Sequence, residues 1–203
     1  HQDCIDKVAG ELKIVYSPLH GTGNIPVRRV LKELGFKNVY VVPEQELPDG
    51  DFPTVSYPNP EAAEAFELGL ALGKKDSKTG EYHSLTGNMS GCLIGDYVIG
   101  QRKALYGLPE DGAFIRSIVS TNMADAIAKY YGIQLVEVLT GFKFIGQKIL
   151  EFENTGKGTY LFGMEESYGC LTGTYARDKD AVDASMTLCE AAAYYKTKNM
   201  TLW

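Results

Sequence analysis

The feature that most limits the fold of this chain is the strand–helix alternation of its second half. "FIRSIVS" (114–120) is a short apolar run with strand character. "TNMADAIAKYYG" (121–132) has helical spacing, with Thr121 or Asn122 at its entry and Gly132 as its stop. "IQLVEVL" is a strand, "TGFKFIGQKILEFENTG" a helix entered at Thr140, and "TYLFGM" (159–164) a strand. "KDAVDASMTLCEAAAYYKTKN" closes the series as a long helix with Asp178 or Asp180 near its start. Three βα units in succession predict a mostly parallel sheet with helices on both faces.

The first half begins the same way. "LKIVYSP" (12–18) reads as a buried strand and "NIPVRRVLKELGF" as a helix with Asn24 as cap, Pro26 in its first turn and Gly35 at its end. "NVYVV" (38–42) is the second strand of a parallel βαβ pair. A proline-rich loop (43–60) follows, then a helix opened by Asn59-Pro60. Another buried strand is due next. Instead "DSKTGEYHSLTG" is polar and turn-rich, with one modest strand at 81–85. Residues 88–105 read as a helix weakened by Gly91, Gly95 and Gly100. The polar, Gly- and Pro-bearing stretch 106–114 places a domain boundary, giving domains 1–107 and 108–203. The expected fold class is α/β, as two three-layer αβα domains with mostly parallel mixed sheets.

Composition narrows the function. Twenty Lys and Arg against 26 Asp and Glu give a net charge of −6, which argues against nucleic acid as a partner. Cys4, Cys92, Cys170 and Cys189 show no CxxC pair and no zinc spacing, so free thiols in a reducing, cytoplasmic setting are expected. No apolar run reaches the roughly 20 residues that span a bilayer, so no membrane partner is expected. The chain starts at His1 rather than Met, which reads as a processed or excised piece.

In open α/β sheets ligands bind beyond the carboxyl ends of the strands. In the second half that rule selects "STN" (120–122), "TGFK" (140–143) and "MEESYG" (164–169), all at one sheet edge. Strand alternation puts Glu165 and Ser167 on one side and Glu166 on the other. A carboxylate beside a hydroxyl suits the vicinal diol of a sugar; a solvated strand end is the alternative. In "ARDKDAV" (176–182), Lys179 or Arg177 can hold a phosphate near a helix N-terminus, or the stretch is a capping turn with local ion pairs. In "TGFK", Gly141 allows backbone to approach a ligand with Lys143 close behind; an ordinary βα turn is the alternative. His20, in "HGTG", lies in a Gly-rich turn that can cradle an anion or be structural. Neither a dinucleotide nor a P-loop spacing occurs.

"KIVYSPLHGTG", "VVPEQELPDGDFPTV", "YPNPE", "LTGN", "IVST", "LTGFKFIG", "FGMEESYG" and "RDKDAV" occur in that order. Together they resemble the second and third domains of the α-D-phosphohexomutase family, in its phosphoglucomutase/phosphomannomutase branch, from about Leu12 to Lys198. The resemblance implies a reaction that moves a phosphoryl group between the anomeric and terminal hydroxyls of a hexose or pentose phosphate. Phosphoserine gives its phosphate to the substrate, forming a glucose 1,6-bisphosphate-type intermediate, and takes the other phosphate back. The nucleophile belongs to the first of four domains and a phosphate clamp to the fourth, so both lie outside this chain, and its catalytic residues are unknown. Glu165 and Ser167 would bind sugar hydroxyls, with Thr140, Gly141 and Lys143 lining the same subsite, Lys179 near the phosphate, and His20 in the loop after the first strand of the second domain. The family's Mg²⁺ loop, of the form DPDADR, has no counterpart: no D-x-D-x-D occurs in the chain. The gap falls between 75 and 76, so the first domain lacks its metal-loop segment. Either the segment is deleted, or it belongs to the molecule and is missing from this sequence. The second is favoured, because a domain stripped of a central strand exposes unpaired edges. The chain then reads as a mutase fragment, inactive alone; the alternative is a standalone noncatalytic sugar-phosphate-binding or assembly module.

Overall fold

Lys13–Tyr16 forms β1 and Asn38–Val41 forms β2, paired in parallel from Lys13↔Asn38 to Tyr16↔Val41 in a computed structural model of the chain. The structure describes residues 1–59, 61–76 and 82–203, with only the backbone of 74–76. Two compact units result: 1–83 with 189–203, and 84–188. The first opens with a helix missing from the sequence reading, α1 (Gln2–Val8), which buries Cys4, Ile5 and Val8. Helix α2 (Asn24–Glu33) joins β1 to β2, and α3 (Ala63–Asp76) follows the long loop. Asn24 is not the α2 cap. Gly23 holds that position, and the Asn24 amide, already within the helix, donates to the Glu46 carbonyl at 2.8 Å. The expected strand at 81–85 does not form over 82–85; Glu81 lies outside the described residues.

The second unit holds a four-stranded sheet in the order β4-β3-β5-β6. β3 (Gly112–Ser117) pairs in parallel with β4 (Gln134–Val138) and β5 (Thr159–Met164), and β6 (Cys170–Leu171) returns antiparallel to β5. Helices α4 (Gly87–Tyr106), α5 (Met123–Tyr131), α6 (Phe142–Thr155) and α7 (Ala181–Lys196) complete the order. Alternation along β3 divides the core. Phe114 joins Ile94, Ile127, Phe162 and Met164 on one face, while Ala113 and Ile115 join Phe142, Ile145 and Ile149 on the other. This makes three layers, helix on sheet on helix. Phe114 and Phe162 are fully buried and meet edge to face at 5.4 Å, each contributing about 1.5–3 kcal/mol by burial.

The boundary falls at His83/Ser84 rather than at 107/108. Residues 107–111 do form a loop, but α4 before it is core to the second unit. A Cβ on Gly91 would lie 2.6 Å from Met164 Cε, and one on Gly95 2.9 Å from the Phe162 ring. The glycines that weaken the helix as a sequence pattern are the face through which it meets the sheet. All four cysteines are free, and no described helix is long and apolar enough to cross a membrane.

Candidate functional site

Parallel pairing of β3, β4 and β5 sends the three following loops to one sheet edge. The loop after β5 is the turn of a hairpin, because β6 folds back with Met164 opposite Cys170. Glu165 N–H donates to Gly169 C=O at 2.8 Å and closes the turn. Tyr168 adopts φ +67°, a strained conformation for an aromatic residue. Its hydroxyl donates to Leu85 C=O at 3.0 Å, just before α4. There Gly87 touches the turn backbone: a Cβ on it would sit 1.8 Å from Glu166 O. Thr86 caps α4 by accepting from Met89 N–H, and Asn88 Oδ1 accepts from Thr121 N–H at 2.9 Å. The start of α4 thus fixes two of the three loops.

The two glutamates, both in the turn beyond the end of β5, have different partners. Glu165 is 6% exposed. Its Oε1 lies 3.5 Å from Lys179 Nζ and 3.5 Å from Ser167 Oγ. Lys179 also reaches Asp178 at 3.3 Å and lies 5.8 Å above the Phe142 ring. Phe142 stands in the "TGFK" turn, between Gly141 (φ +114°) and the exposed Lys143. Thr140 is exposed beside them, and Lys143 Nζ lies 5.1 Å from the Phe144 ring centre. A buried carboxylate, a hydroxyl and an ammonium therefore gather at one edge, next to a turn with an exposed threonine and lysine. Such a set can accept from sugar hydroxyls and offset a negative charge.

Glu166 points to the end of β3. Its Oε2 accepts from Ser117 Oγ at 2.7 Å and lies 3.5 Å from Ser120 Oγ. Arg116, 3% exposed, donates to the carbonyls of Ser117 and Ser120 at 3.2 Å and pairs with Asp125 and Glu137. Its Nε has no hydrogen-bond partner among the described residues. The sequence reading assigned nothing to Arg116, although an arginine inside the apolar run "FIRSIVS" was a visible signal.

Arg177 is not brought into this group, and His20 belongs to the other unit. Arg177 pairs with Glu153 and donates to the carbonyls of Thr174 and Ala176, bracing the chain before α7. His20 belongs to the first unit and is buried, with Nδ1 3.1 Å from Leu47 O and Nε2 2.9 Å from Thr54 Oγ1. It pins the long loop with Gln45, which is fully buried and donates to Thr54 Oγ1.

Burial sets the chemistry of other groups nearby. It pushes the Cys92 thiol up to about 11 and that of Cys170 up to about 12, so neither is a thiolate near neutrality. Burial also raises Asp183 above its usual range, against the hydrogen bonds from Thr172 N–H (3.0 Å) and Oγ1 (2.8 Å). Among the described residues one group has metal-binding spacing: His1, just before α1, with Asp3 and Cys4 on it. A thiol, an imidazole and one carboxylate do not fit Mg²⁺, which takes oxygen ligands in octahedral geometry.

Residues 2–82 match the profile described as Phosphoglucomutase/phosphomannomutase, alpha/beta/alpha domain II, and residues 86–202 match domain III. The chain belongs to the phosphoglucomutase/phosphomannomutase family. It is 35% identical to human glucose 1,6-bisphosphate synthase over 94% of this chain and 34% of that protein. It is 32% identical to the phosphoglucomutase of Staphylococcus epidermidis over 99% of this chain and 40% of that protein. In fold it resembles parafusin, a phosphoglucomutase from Paramecium, with a TM-score of 0.70 at 21% identity over 98% of this chain and 36% of that one. The chain thus spans between a third and a half of the length of these relatives. The staphylococcal alignment covers 223 positions against 203 residues here, so that relative carries at least 20 residues within the matched span that this chain lacks. The expected gap at 75/76 adjoins residues 77–81, which lie outside the described residues.

Proposed function

We propose that this chain is the sugar-recognition part of a phosphosugar mutase, and that the hairpin turn after β5 is its binding element. The observation that carries the reading is the buried Glu165 carboxylate, held beside Ser167 and Lys179 on a turn whose backbone is locked against α4. Glu165 accepts hydrogen bonds from two neighbouring sugar hydroxyls, and Ser167 donates to or accepts from a third group. Lys179 offsets the charge of the phosphate, with Thr140, Gly141 and Lys143 lining the same subsite. A mutase must take its sugar in two orientations, and a carboxylate with a hydroxyl contacts a diol either way round. Arg177 and His20 serve as structural braces, not as ligands.

The full-length protein interconverts the 1-phosphate and the terminal phosphate of a hexose or pentose in the cytoplasm, through a bisphosphate intermediate. The phosphoserine and the phosphate clamp come from its first and fourth domains. Mg²⁺ serves that whole enzyme, with ligands the described residues do not supply, and the chain alone is inactive. The name of the human relative gives the bisphosphate reading its support.

Isothermal titration with glucose 1-phosphate, mannose 1-phosphate and ribose 5-phosphate tests the reading. Binding of at least one, weakened tenfold or more in Glu165→Gln, is the expected result, since a charge-assisted hydrogen bond is worth about 1.5–3 kcal/mol. Equal affinity in the variant contradicts it. Turnover by the pure chain contradicts the claim that it is inactive.

A further inference from the structure

The two glutamates of the recognition turn are held with unequal firmness. In the proposed reading Glu165 meets the ligand, yet its side-chain partners Lys179 and Ser167 both stand 3.5 Å from Oε1, at the outer limit of a hydrogen bond. Glu166 Oε2 lies 2.7 Å from Ser117 Oγ, the length of a charge-assisted O–H···O bond. Bonds of that kind are about twice as strong as those between neutral groups. Ser117 has one proton and gives it to Glu166, which leaves Ser120 Oγ, 2.8 Å away, to donate to Ser117 Oγ.

Both serines are buried, and their backbone is fixed in turn. Ser120 N–H donates to Ser117 C=O at 3.0 Å, and Arg116 bonds both carbonyls from the end of β3. Arg116 is itself anchored by Asp125 of α5 and Glu137 of β4. The Glu166 carboxylate thus rests on a preset pair of hydroxyls. The backbone of the same residue is confined as well, because a Cβ on Gly87 would lie 1.8 Å from Glu166 O. Adjacent Cα atoms across a trans peptide stay about 3.8 Å apart, so a fixed Glu166 also fixes the backbone from which the Glu165 side chain departs.

We infer that Glu166 is a positioning residue for the sugar site: latched to Ser117 and Ser120, it sets where the Glu165 carboxylate stands and does not itself touch the ligand. The inference rests on the proposed function for the ligand, but not for the latch. It separates the roles of the two glutamates. Glu165 needs its charge, because both carboxylate oxygens accept from hydroxyls, whereas an amide has one acceptor oxygen. Glu166 needs only an acceptor oxygen in place, which glutamine supplies.

The test is isothermal titration of the full 203-residue chain with glucose 1-phosphate, mannose 1-phosphate and ribose 5-phosphate, run on Glu166→Ala, Glu166→Gln, Ser117→Ala and Glu165→Gln at a temperature where circular dichroism shows each variant folded. Glu166→Ala is expected to weaken binding about tenfold, and Glu166→Gln to stay within about threefold of the parent. Ser117→Ala should weaken binding about as much as Glu166→Ala, and the double variant no further, since both cut the same link. Ser117→Ala decides the matter if Glu166→Ala does not fold. Amide exchange without ligand is the second arm. The Glu165 N–H, bonded to Gly169 C=O, should exchange about tenfold faster in Glu166→Ala and near the parent rate in Glu166→Gln. Parent-like affinity in Glu166→Ala and Ser117→Ala overturns the positioning role, while Glu165→Gln still judges the sugar reading. Equal loss in Glu166→Ala and Glu166→Gln makes Glu166 a direct ligand and overturns it too. If the parent binds none of the three, the sugar reading falls by itself, and unchanged exchange at Glu165 in Glu166→Ala overturns the latch.

Discussion

Replacing Gly87 by alanine tests whether the recognition turn is held from below by α4. The added methyl carbon would lie 1.8 Å from Glu166 O, 2.6 Å from Tyr168 N and 2.7 Å from Glu166 C. All three are backbone atoms, so no side chain can swing aside and the turn itself must move. Overpacking of this kind costs about 1–3 kcal/mol, and three backbone contacts place this case near the upper end. Alanine recovers part of that through its helix propensity, less than about 1 kcal/mol at the first position of a helix. A net loss of about 2 kcal/mol lowers the melting temperature of a unit this size by roughly 8 °C. Thermal melts followed by circular dichroism read the stability, and hydrogen exchange over 165–169 reads the turn. Gly10→Ala is the control, since a Cβ there meets nothing within 4 Å. If Gly87→Ala melts within about 1 °C of the parent and leaves exchange at 165–169 unchanged, the claim that α4 fixes the turn is wrong.

Three further outcomes are expected. Glu166→Ala leaves the buried Ser117 and Ser120 hydroxyls with only each other, 2.8 Å apart, and should cost about 1–3 kcal/mol in urea unfolding, whereas Glu165→Gln should weaken ligand binding with much less effect on stability. Folding takes up a proton at Asp183, because burial raises its value above 3.8. Its contribution to stability therefore falls as pH rises from the unfolded value through the raised folded one, and Asp183→Asn should lack that decline when unfolding is compared from pH 3 upward in steps. At pH 8 a thiol reagent should leave Cys92 and Cys170 unreacted in the folded chain, since burial holds them at about 11 and about 12, and react with all four cysteines in urea.

How much of this was legible in the sequence depends on the range of the forces involved. "TYLFGM" was readable residue for residue, because an apolar run bounded by Gly158 and a polar turn is a local signal and the strand is Thr159–Met164. Its partner β6 was not: Cys170–Leu171 is two residues long and exists only through pairing with Gly163 and Met164. The helix caps show the same limit, since the Asn24 side chain donates to Glu46 C=O, 22 residues away, and accepts from the Arg28 side chain rather than capping the backbone of its helix. The boundary at 107/108 followed a real loop, but only packing shows that Gly91 and Gly95 bind the helix before it to the second unit. Within the site, Glu165 and Glu166 do have different partners, but they stand in a turn closed by Glu165 N–H and Gly169 C=O, beyond the reach of the strand alternation the sequence suggested. The bracing role of Arg177 was not foreseeable, because a short-range charge pattern does not reveal Glu153 as its partner. Nor does "HGTG" reveal that His20 is committed to Leu47 and Thr54 of a loop that closes over it.

The most direct measurement is an amide NMR titration of the chain with glucose 1-phosphate, run beside Glu165→Gln. The account predicts shifts at 165–169, 140–143 and Lys179 that saturate in the parent and fade in the variant. Shifts confined to other residues, or the same saturating shifts in the variant, would contradict it.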